Sequence, residues 1–317
     1  MRTVTIDNNI TDMPPCVATI GFFDGVHRGH KFLINYIKDI AKDNGIESTV
    51  ITFDKHPRQV IKSDYMPKML STFDEKILML SKTGVDNCAV LPFNKETSSL
   101  SAYDFMKDVL LRMLNVRILV MGYDNRFGHN RSESFDDYVR YGKELGIQVI
   151  PAQAFILNGV NVSSSVVRSY LDKGEVEMAA LCLGYPYFIK GNVMDGCHNG
   201  RKLGFPTANL DIENCEKLIP APGVYAVKAR TENSLELRRA MTNIGTCPTF
   251  GGSRTTMETN ILNFKNNIYG EQLAVFFCHR IRSERKFESV DDLSEQLAID
   301  ERMVNEQFDK EHDFHGI

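Results

Sequence analysis

Through the first half of the chain, short β-branched runs alternate with stretches of helical periodicity. Val17–Phe22 reads as a strand. Lys31–Asp43 reads as a helix, with Phe32, Leu33, Tyr36, Ile37, Ile40 and Ala41 on one side and Gly45 as its stop. Ser48–Phe53 is the next strand, completing a βαβ unit and so a parallel sheet. The alternation continues. Thr72 with Glu75 forms a capping-box pattern opening a helix to about Lys82. Asn87–Leu91, Arg117–Met121 and Ile147–Pro151 read as strands, and Ser101–Met113 and Ser134–Leu145 as helices. Two short helices follow, at Val166–Asp172 and Val176–Leu183.

After Gly184 the rhythm changes. Tyr187–Met194, Gly223–Arg230, Leu235–Ile244, Thr256–Phe264 and Leu273–Ile281 read as strands separated by Gly- and Pro-containing turns, without long helices between them. This pattern predicts a small antiparallel barrel or sandwich. A last amphipathic helix, Asp291–Phe308, sets Leu293, Leu297, Val304 and Phe308 on one face. The expectation is an α/β chain with two domains: a Rossmann-like parallel-sheet domain over residues 1–185, and a small antiparallel β-barrel with a terminal helix over residues 186–317.

Composition adds bounds. The 317 residues suit two domains at roughly 150 residues each. The hydrophobic share of 43%, the charged share of 25% and the net charge of −4 are those of an ordinary globular chain. They predict no general attraction to nucleic acid or anionic membrane. No apolar run approaches the ~20 residues that span a bilayer, and the N-terminus lacks a signal core. The seven cysteines form no C-x-x-C pair, which fits free thiols in a reducing cytoplasm. Self-association stays open.

Candidate chemistry begins at GFFDGVHRGH, Gly21–His30. Gly21, Gly25 and Gly29 let backbone approach a ligand closely. A helix start offers unpaired N–H groups and partial positive charge, which suit a phosphate. His27 and His30 are three apart, share one face, and lie above the carboxyl end of the first strand, where open parallel sheets bind ligands. Two imidazoles and helix N–H groups there can stabilise the charge that builds during attack on the α-phosphorus of ATP. The plain alternative is that one histidine caps the helix and the other lies on the surface. A zinc site lacks a third ligand nearby. TFDKHPR (Thr52–Arg58), GYDNRFG (Gly122–Gly128) and SSSVVR (Ser163–Arg168) also follow strands or open a helix at the ligand edge. Taken singly, they read equally as a turn at His56–Pro57, a loop cap at Asp124 and an N-cap at Ser163–Ser165.

The second half contains GCHNGRKLGFPTANL, Gly196–Leu210. Thr207 and Asn209 alternate along an extended segment and so face the same way. A hydroxyl and an amide oxygen suit Mg2+ in company with phosphate oxygens. Glu258, acidic within an otherwise neutral strand, is a candidate base for deprotonating an alcohol. Neither a Walker A pattern nor G-x-G-x-x-G is present. On residue chemistry alone, PTAN reads equally as a strand with a turn, and Glu258 as an exposed strand residue.

Across nearly its whole length the chain resembles the bifunctional bacterial riboflavin kinase/FMN adenylyltransferases. TIGFFDGVHRGH, TFDKHP, GYDNRFG and SSSVVR carry the likeness in the first half. GRKLGFPTANL, GVYAV, NIGTCPTFGG, METN, YG and RKF carry it in the second. The resemblance implies phosphorylation of riboflavin to FMN by the second domain with MgATP. It implies adenylylation of FMN to FAD by the first, releasing pyrophosphate. It implies ATP contacts at Gly21, Phe22, Phe23, Asp24, Gly25, His27, His30, Ser163, Ser164 and Arg168 in the first domain. In the second it implies ATP contacts at Gly196, Gly200, Arg201, Thr207 and Asn209, the last two also on Mg2+. Flavin contacts are implied at Phe53, His56, Pro57, Asp124, Asn125, Arg126, Arg285 and Phe287, and catalytic roles for His27, His30 and Glu258. Four positions depart from the family pattern: Lys55 for Pro, Asn125 for Phe, Tyr185 for Arg and Asn260 for His. Two other functions stay open: a nucleotidyltransferase for another small phosphate, and a flavin-binding regulator without catalysis.

Overall fold

The computed structural model describes residues 1–6, 13–56, 67–122, 125–129, 132–195, 204–249 and 252–314. Two compact units divide the chain, Met1–Ser164 and Ser165–Ile317.

The first unit is a six-stranded parallel sheet. Its strands are β1 (Arg2–Thr5), β2 (Cys16–Ile20), β3 (Glu47–Phe53), β4 (Asn87–Leu91), β5 (Val116–Met121) and β6 (Gln148–Pro151), in the order β1-β4-β3-β2-β5-β6. Strands β3 and β4 run to one side of β2, and β5 and β6 to the other. The chain therefore reverses its winding direction beside β2, the kind of switch point at which open sheets bind ligands. Both faces are covered, which is why β2 and β4 are buried at every position. Cys16, Ala18 and Ile20 enter one core with Phe105, Met106 and Tyr138, while Val17 enters the other with Ile34, Ile37 and Leu80.

Helix α1 (Arg28–Asn44) ends at Gly45 in the left-handed region, φ 65°. It buries Ile34, Ile37 and Ala41. The face expected from sequence is thus rotated: Phe32 and Tyr36 are exposed, and Phe32 packs instead on Phe155, 5.5 Å between ring centroids. Helix α2 (Phe73–Ser81) carries the expected Thr72–Glu75 capping box. A short α3 (Lys95–Ser99) precedes α4 (Ala102–Asp104), which widens directly into a π-helix, Phe105–Met113. Helix α5 (Phe135–Leu145) is capped by Ser134 and Asp137. A small hairpin, β7 (Ile156–Leu157) with β8 (Val160–Asn161), leads toward the second unit.

Helix α6 (Ser164–Asp172) opens at the division, and all but its first residue falls in the second unit with α7 (Val176–Leu183). The expected boundary at 185/186 lies beyond both helices. Arg280 holds this region to the barrel: its guanidinium donates to the carbonyls of Lys173 (2.6 Å) and Pro222 (3.1 Å), and its N–H donates to Glu177 (2.9 Å). The barrel comprises β9 (Phe188–Met194), β10 (Ala208–Leu210), β11 (Gly223–Thr231), β12 (Arg238–Thr249), β13 (Gly252–Ile261) and β14 (Gln272–Arg282). It closes in the order β10-β13-β12-β11-β14-β9 with every pair antiparallel. Leu235, expected in a strand, is 93% exposed, and β12 begins three residues later.

Helix α8 (Val290–Phe314) covers the outer barrel face that carries Ala226 and Met241, burying Val304 and Phe308 there. Buried Asp300 fixes its seat. The carboxylate accepts from Arg282 Nε (2.9 Å) and Nη2 (2.7 Å), and from Gln296 (2.8 Å). Removing one partner of a buried charge pair costs about 3–5 kcal/mol. Asp300→Ala is therefore expected to destabilise the second unit by that order and so lower its urea midpoint, while Gln296→Ala has a smaller effect. Equilibrium unfolding followed by circular dichroism checks both.

Candidate functional site

The first candidate site is the turn between β2 and α1. Its backbone is unusual: Phe23 (φ 56°), Gly25 (φ 74°) and Val26 (φ 37°) all lie at positive φ. Asp24 supports this conformation. It is 2% exposed, and its carboxylate accepts the backbone N–H groups of Leu70 and Ser71, each at 3.0 Å. Ser71 Oγ accepts from Gly25 N at 3.0 Å, Ser164 Oγ donates to the Asp24 carbonyl at 3.1 Å, and Thr52 donates to the Phe22 carbonyl at 3.1 Å. Asp24 thus builds the turn with its side chain. Phe23 lies in the core, against His30 and beneath Gly21, where a Cβ would stand 3.1 Å from its ring.

The histidines converge. His27 is the N-cap of α1, its Nδ1 accepting the His30 N–H at 3.3 Å, so the capping alternative holds for this residue. His30 is not a surface side chain. Its ring stacks on that of His27, 3.6 Å between centroids at 19°. Burial, aided by the nearby His27 and Lys76, holds His30 well below the usual histidine range, so it is neutral. Its Nδ1 is buried without a hydrogen-bond partner among the described residues. Neutral imidazoles stacked at a helix start, one with an orphaned ring nitrogen, suit an anion that brings its own charge. Gly29 makes room for this stack: a Cβ there would stand 3.0 Å from the Val162 carbonyl and 3.1 Å from the His27 ring.

Some of the other expected residues lie beside the turn. Phe53 ends β3, and His56 sets its ring against Phe22 at 4.7 Å. The Asn125 amide donates to the Ile20 carbonyl at the end of β2, and Arg126 is exposed. Ser163 precedes α6, and Arg168 lies within it, in the second unit. Pro57 and Asp124 fall outside the described residues. Lys76, buried on α2, was not foreseen. It reads as a polar position of a surface helix, and only the fold puts it beneath Phe22, its ammonium 4.2 Å from that ring.

The second candidate site lies on the outer barrel face next to α8. Strand register builds it. Glu258 on β13 stands opposite Asn209 on β10 and Asn243 on β12, so the three side chains share one face. The Thr207 hydroxyl hydrogen-bonds the Glu258 carboxylate. Burial outweighs that bond and raises the Glu258 pKa, which makes the carboxylate a better proton acceptor. Asn260 donates to the Pro206 carbonyl at 2.7 Å, fixing the approach to Thr207. Arg285 lies 4.5 Å over the Phe287 ring, with Arg282 on the same ring at 5.8 Å. This segment reaches β12 through Glu284, whose carboxylate lies so close to Gly245 that a Cβ there would be 2.4 Å away. The segment of the expected flavin element thus approaches the strand pair β12–β13 that carries Glu258. Asn243 belongs with them and was missed as a site residue; its place inside the NIG run was the available signal. Gly196, Gly200 and Arg201 fall outside the described residues.

Among the described residues no group of three or more His, Cys, Asp or Glu side chains could hold a metal. A hydroxyl, an amide oxygen and one carboxylate do not form a metal cage. They do fit Mg2+ carried in with phosphate oxygens, since that ion keeps substrate and water ligands.

The His30 environment makes a stability prediction. The folded pKa is depressed below the ordinary 6.5, so the unfolded chain binds the extra proton, and folding weakens as pH falls below 6.5. Urea midpoints of the first unit should drop between pH 6.5 and about pH 5. His30→Asn should flatten that slope.

Comparisons with known proteins divide the chain likewise. A family model described as FAD synthetase matches residues 9–166, and one described as riboflavin kinase matches residues 183–308. The bifunctional riboflavin kinase/FMN adenylyltransferase of Escherichia coli K12 is 34% identical over 310 residues, covering 97% of this chain and 98% of that protein. The Bacillus subtilis enzyme of the same description is 36% identical, covering 90% of each. A solved structure from Streptococcus pneumoniae, described as a macrolide-efflux protein, superposes with a TM-score of 0.86 at 31% identity, covering 96% of this chain and 99% of that one. Among the described residues of this chain, no helix is long and apolar enough to cross a membrane.

Proposed function

We propose that each half of this chain, which belongs to the bifunctional riboflavin kinase/FMN adenylyltransferase family, carries one of that family's two reactions. The second unit phosphorylates riboflavin to FMN, and the first joins FMN to AMP from ATP, giving FAD and pyrophosphate. ATP is the co-substrate of both, and the chemistry is cytoplasmic. The observation that carries the reading is the pairing of sites: a half-buried carboxylate beside Thr207 and Asn209 in one unit, and stacked neutral histidines at a helix start in the other.

In the kinase reaction Glu258 accepts the proton of the ribityl hydroxyl as its oxygen attacks the γ-phosphorus of ATP, and the bond to ADP breaks. Asn209 and Asn243, on either side of Glu258, orient the reactants, and Phe287 with Arg285 meets the flavin ring. Thr207 and Asn209 would hold Mg2+ with the nucleotide, which neutralises phosphate charge when bound. In the adenylyl transfer an FMN phosphate oxygen attacks the α-phosphorus of ATP and pyrophosphate leaves. His27, His30 and the α1 N-terminus face the charge that builds on the departing phosphates. Gly21–Gly25 shape the backbone there. Ser163, Ser164 and Arg168 complete the nucleotide contacts, and Phe53, His56, Pro57, Asp124, Asn125 and Arg126 form the flavin side. By these motifs the first activity occupies residues 1–185 and the second residues 186–317.

The protein with riboflavin, ATP and Mg2+ is expected to yield FMN and then FAD, separable by chromatography. Absence of both products overturns the reading. Glu258→Gln should slow FMN formation by about 10²–10⁴ and leave FMN-to-FAD conversion intact, and His30→Ala should do the reverse. Loss of both reactions in either folded variant would contradict two separate sites.

A further inference from the structure

Lys76 has no place in the roles assigned so far, yet it is 2% exposed and lies beside the first site. Its ammonium donates to the Phe53 carbonyl at the end of β3, at 2.9 Å. It also sits 4.2 Å from the centre of the Phe22 ring and 5.4 Å from that of Phe73. Phe22 in turn carries His56 against its ring. One cation therefore ties together the end of β3, the start of the β2–α1 turn and an expected flavin contact.

The charged and titratable groups around Lys76 come from four elements. Asp24 and Asp54 act on it through space, and both carboxylates are already bonded to backbone N–H groups: Asp24 to Leu70 and Ser71, Asp54 to Lys55 and Phe93. Cys88 on β4 is a neutral thiol, pushed up to about 11 by burial. His30 on α1 is neutral, in part because of Lys76. Burying an ammonium whose hydrogen bond goes to a neutral carbonyl is costly. A methionine of similar length would fill the slot without that cost. The retained charge therefore calls for a use.

We propose that Lys76 is a positioning residue for the reaction of the first site, acting through Phe22 and His30 rather than by touching the nucleotide, and that it must be protonated to act. The ammonium fixes Phe22 as a wall of the site and adds to the burial that holds His30 neutral. This inference rests on the assignment of adenylyl transfer to the first unit. Burial lowers the Lys76 pKa to about 8. A lysine so lowered is charged below that pH and loses its charge above it, so FMN adenylylation should decline as pH rises past about 8.

Three variants of the full chain test this, with FMN-to-FAD conversion and riboflavin phosphorylation measured on the same preparations from pH 6 to about pH 9.5. Lys76→Met should cut kcat/KM for adenylylation by about tenfold to a hundredfold, remove the alkaline decline and leave riboflavin phosphorylation unchanged. Lys76→Arg, whose charge persists, should retain most of the activity and move the alkaline decline up by about one pH unit or more. Wild-type adenylylation by Lys76→Met, or an unmoved alkaline decline in Lys76→Arg, overturns the proposal. Should Lys76→Met fail to fold, Lys76→Arg alone decides. His30→Ala provides the separate control: if it leaves adenylylation intact, the assignment of the site has failed, whatever the lysine variants do.

Discussion

The buried carboxylate of Asp24 is the constraint on which the first unit's site depends. Phe23 and Val26 occupy positive φ, a conformation that costs non-glycine residues on the order of 1–3 kcal/mol each. Such a turn persists only where its surroundings determine it. Asp24 does this by accepting two backbone N–H groups from a segment 46 and 47 residues away, and Ser71 returns a bond to Gly25. The same contact brings Thr72 and the start of α2 beside the turn, and with it Lys76. The acidic residue of the motif is thus an architectural group, and on the proposed reading the chemistry falls to the imidazoles beyond it.

The two units meet phosphate chemistry with opposite resources. In the first, the groups at the turn are neutral histidines, a helix start and a buried cation. All become more favourable when an anion binds, and none requires a carboxylate at the reacting atoms. In the second, the proposed key group is a carboxylate whose proton affinity is raised by burial. That difference matches the two steps. An FMN phosphate is already a nucleophile and needs its repulsion from ATP relieved. A ribityl alcohol must first lose a proton.

Much of the first unit was legible because its signals are local. The capping box at Thr72, Gly45 past the end of α1 and period switching between strands and helices are each read within a few residues. What failed were properties set by distant partners. The buried face of α1 is fixed by what the sheet offers, so Phe32 and Tyr36 turned outward, and Phe32 meets Phe155, more than a hundred residues on. Strand β1, the hairpin β7–β8 and the widening of α4 into a π-helix carry too few residues of pattern to announce themselves. Barrel and sandwich share one periodicity, and only the pairings of the short β10 with β9 and β13 decide for closure. At the sites, His27, His30, Thr207, Asn209 and Glu258 were visible as motif residues. Lys76 and Asn243 were not singled out, because burial and cross-strand register select them.

The departures from the family pattern extend this reasoning. Asn125 and Asn260 replace a phenylalanine and a histidine, and both end as amide donors to a backbone carbonyl: Asn125 to Ile20 at the end of β2, Asn260 to Pro206 just before Thr207. A backbone carbonyl left unpaired at either place would compete for other donors. An asparagine satisfies it. The substitutions therefore change how each loop is fastened rather than what it presents. The hydrogen bonds make them anchors for the segments that carry the two candidate sites.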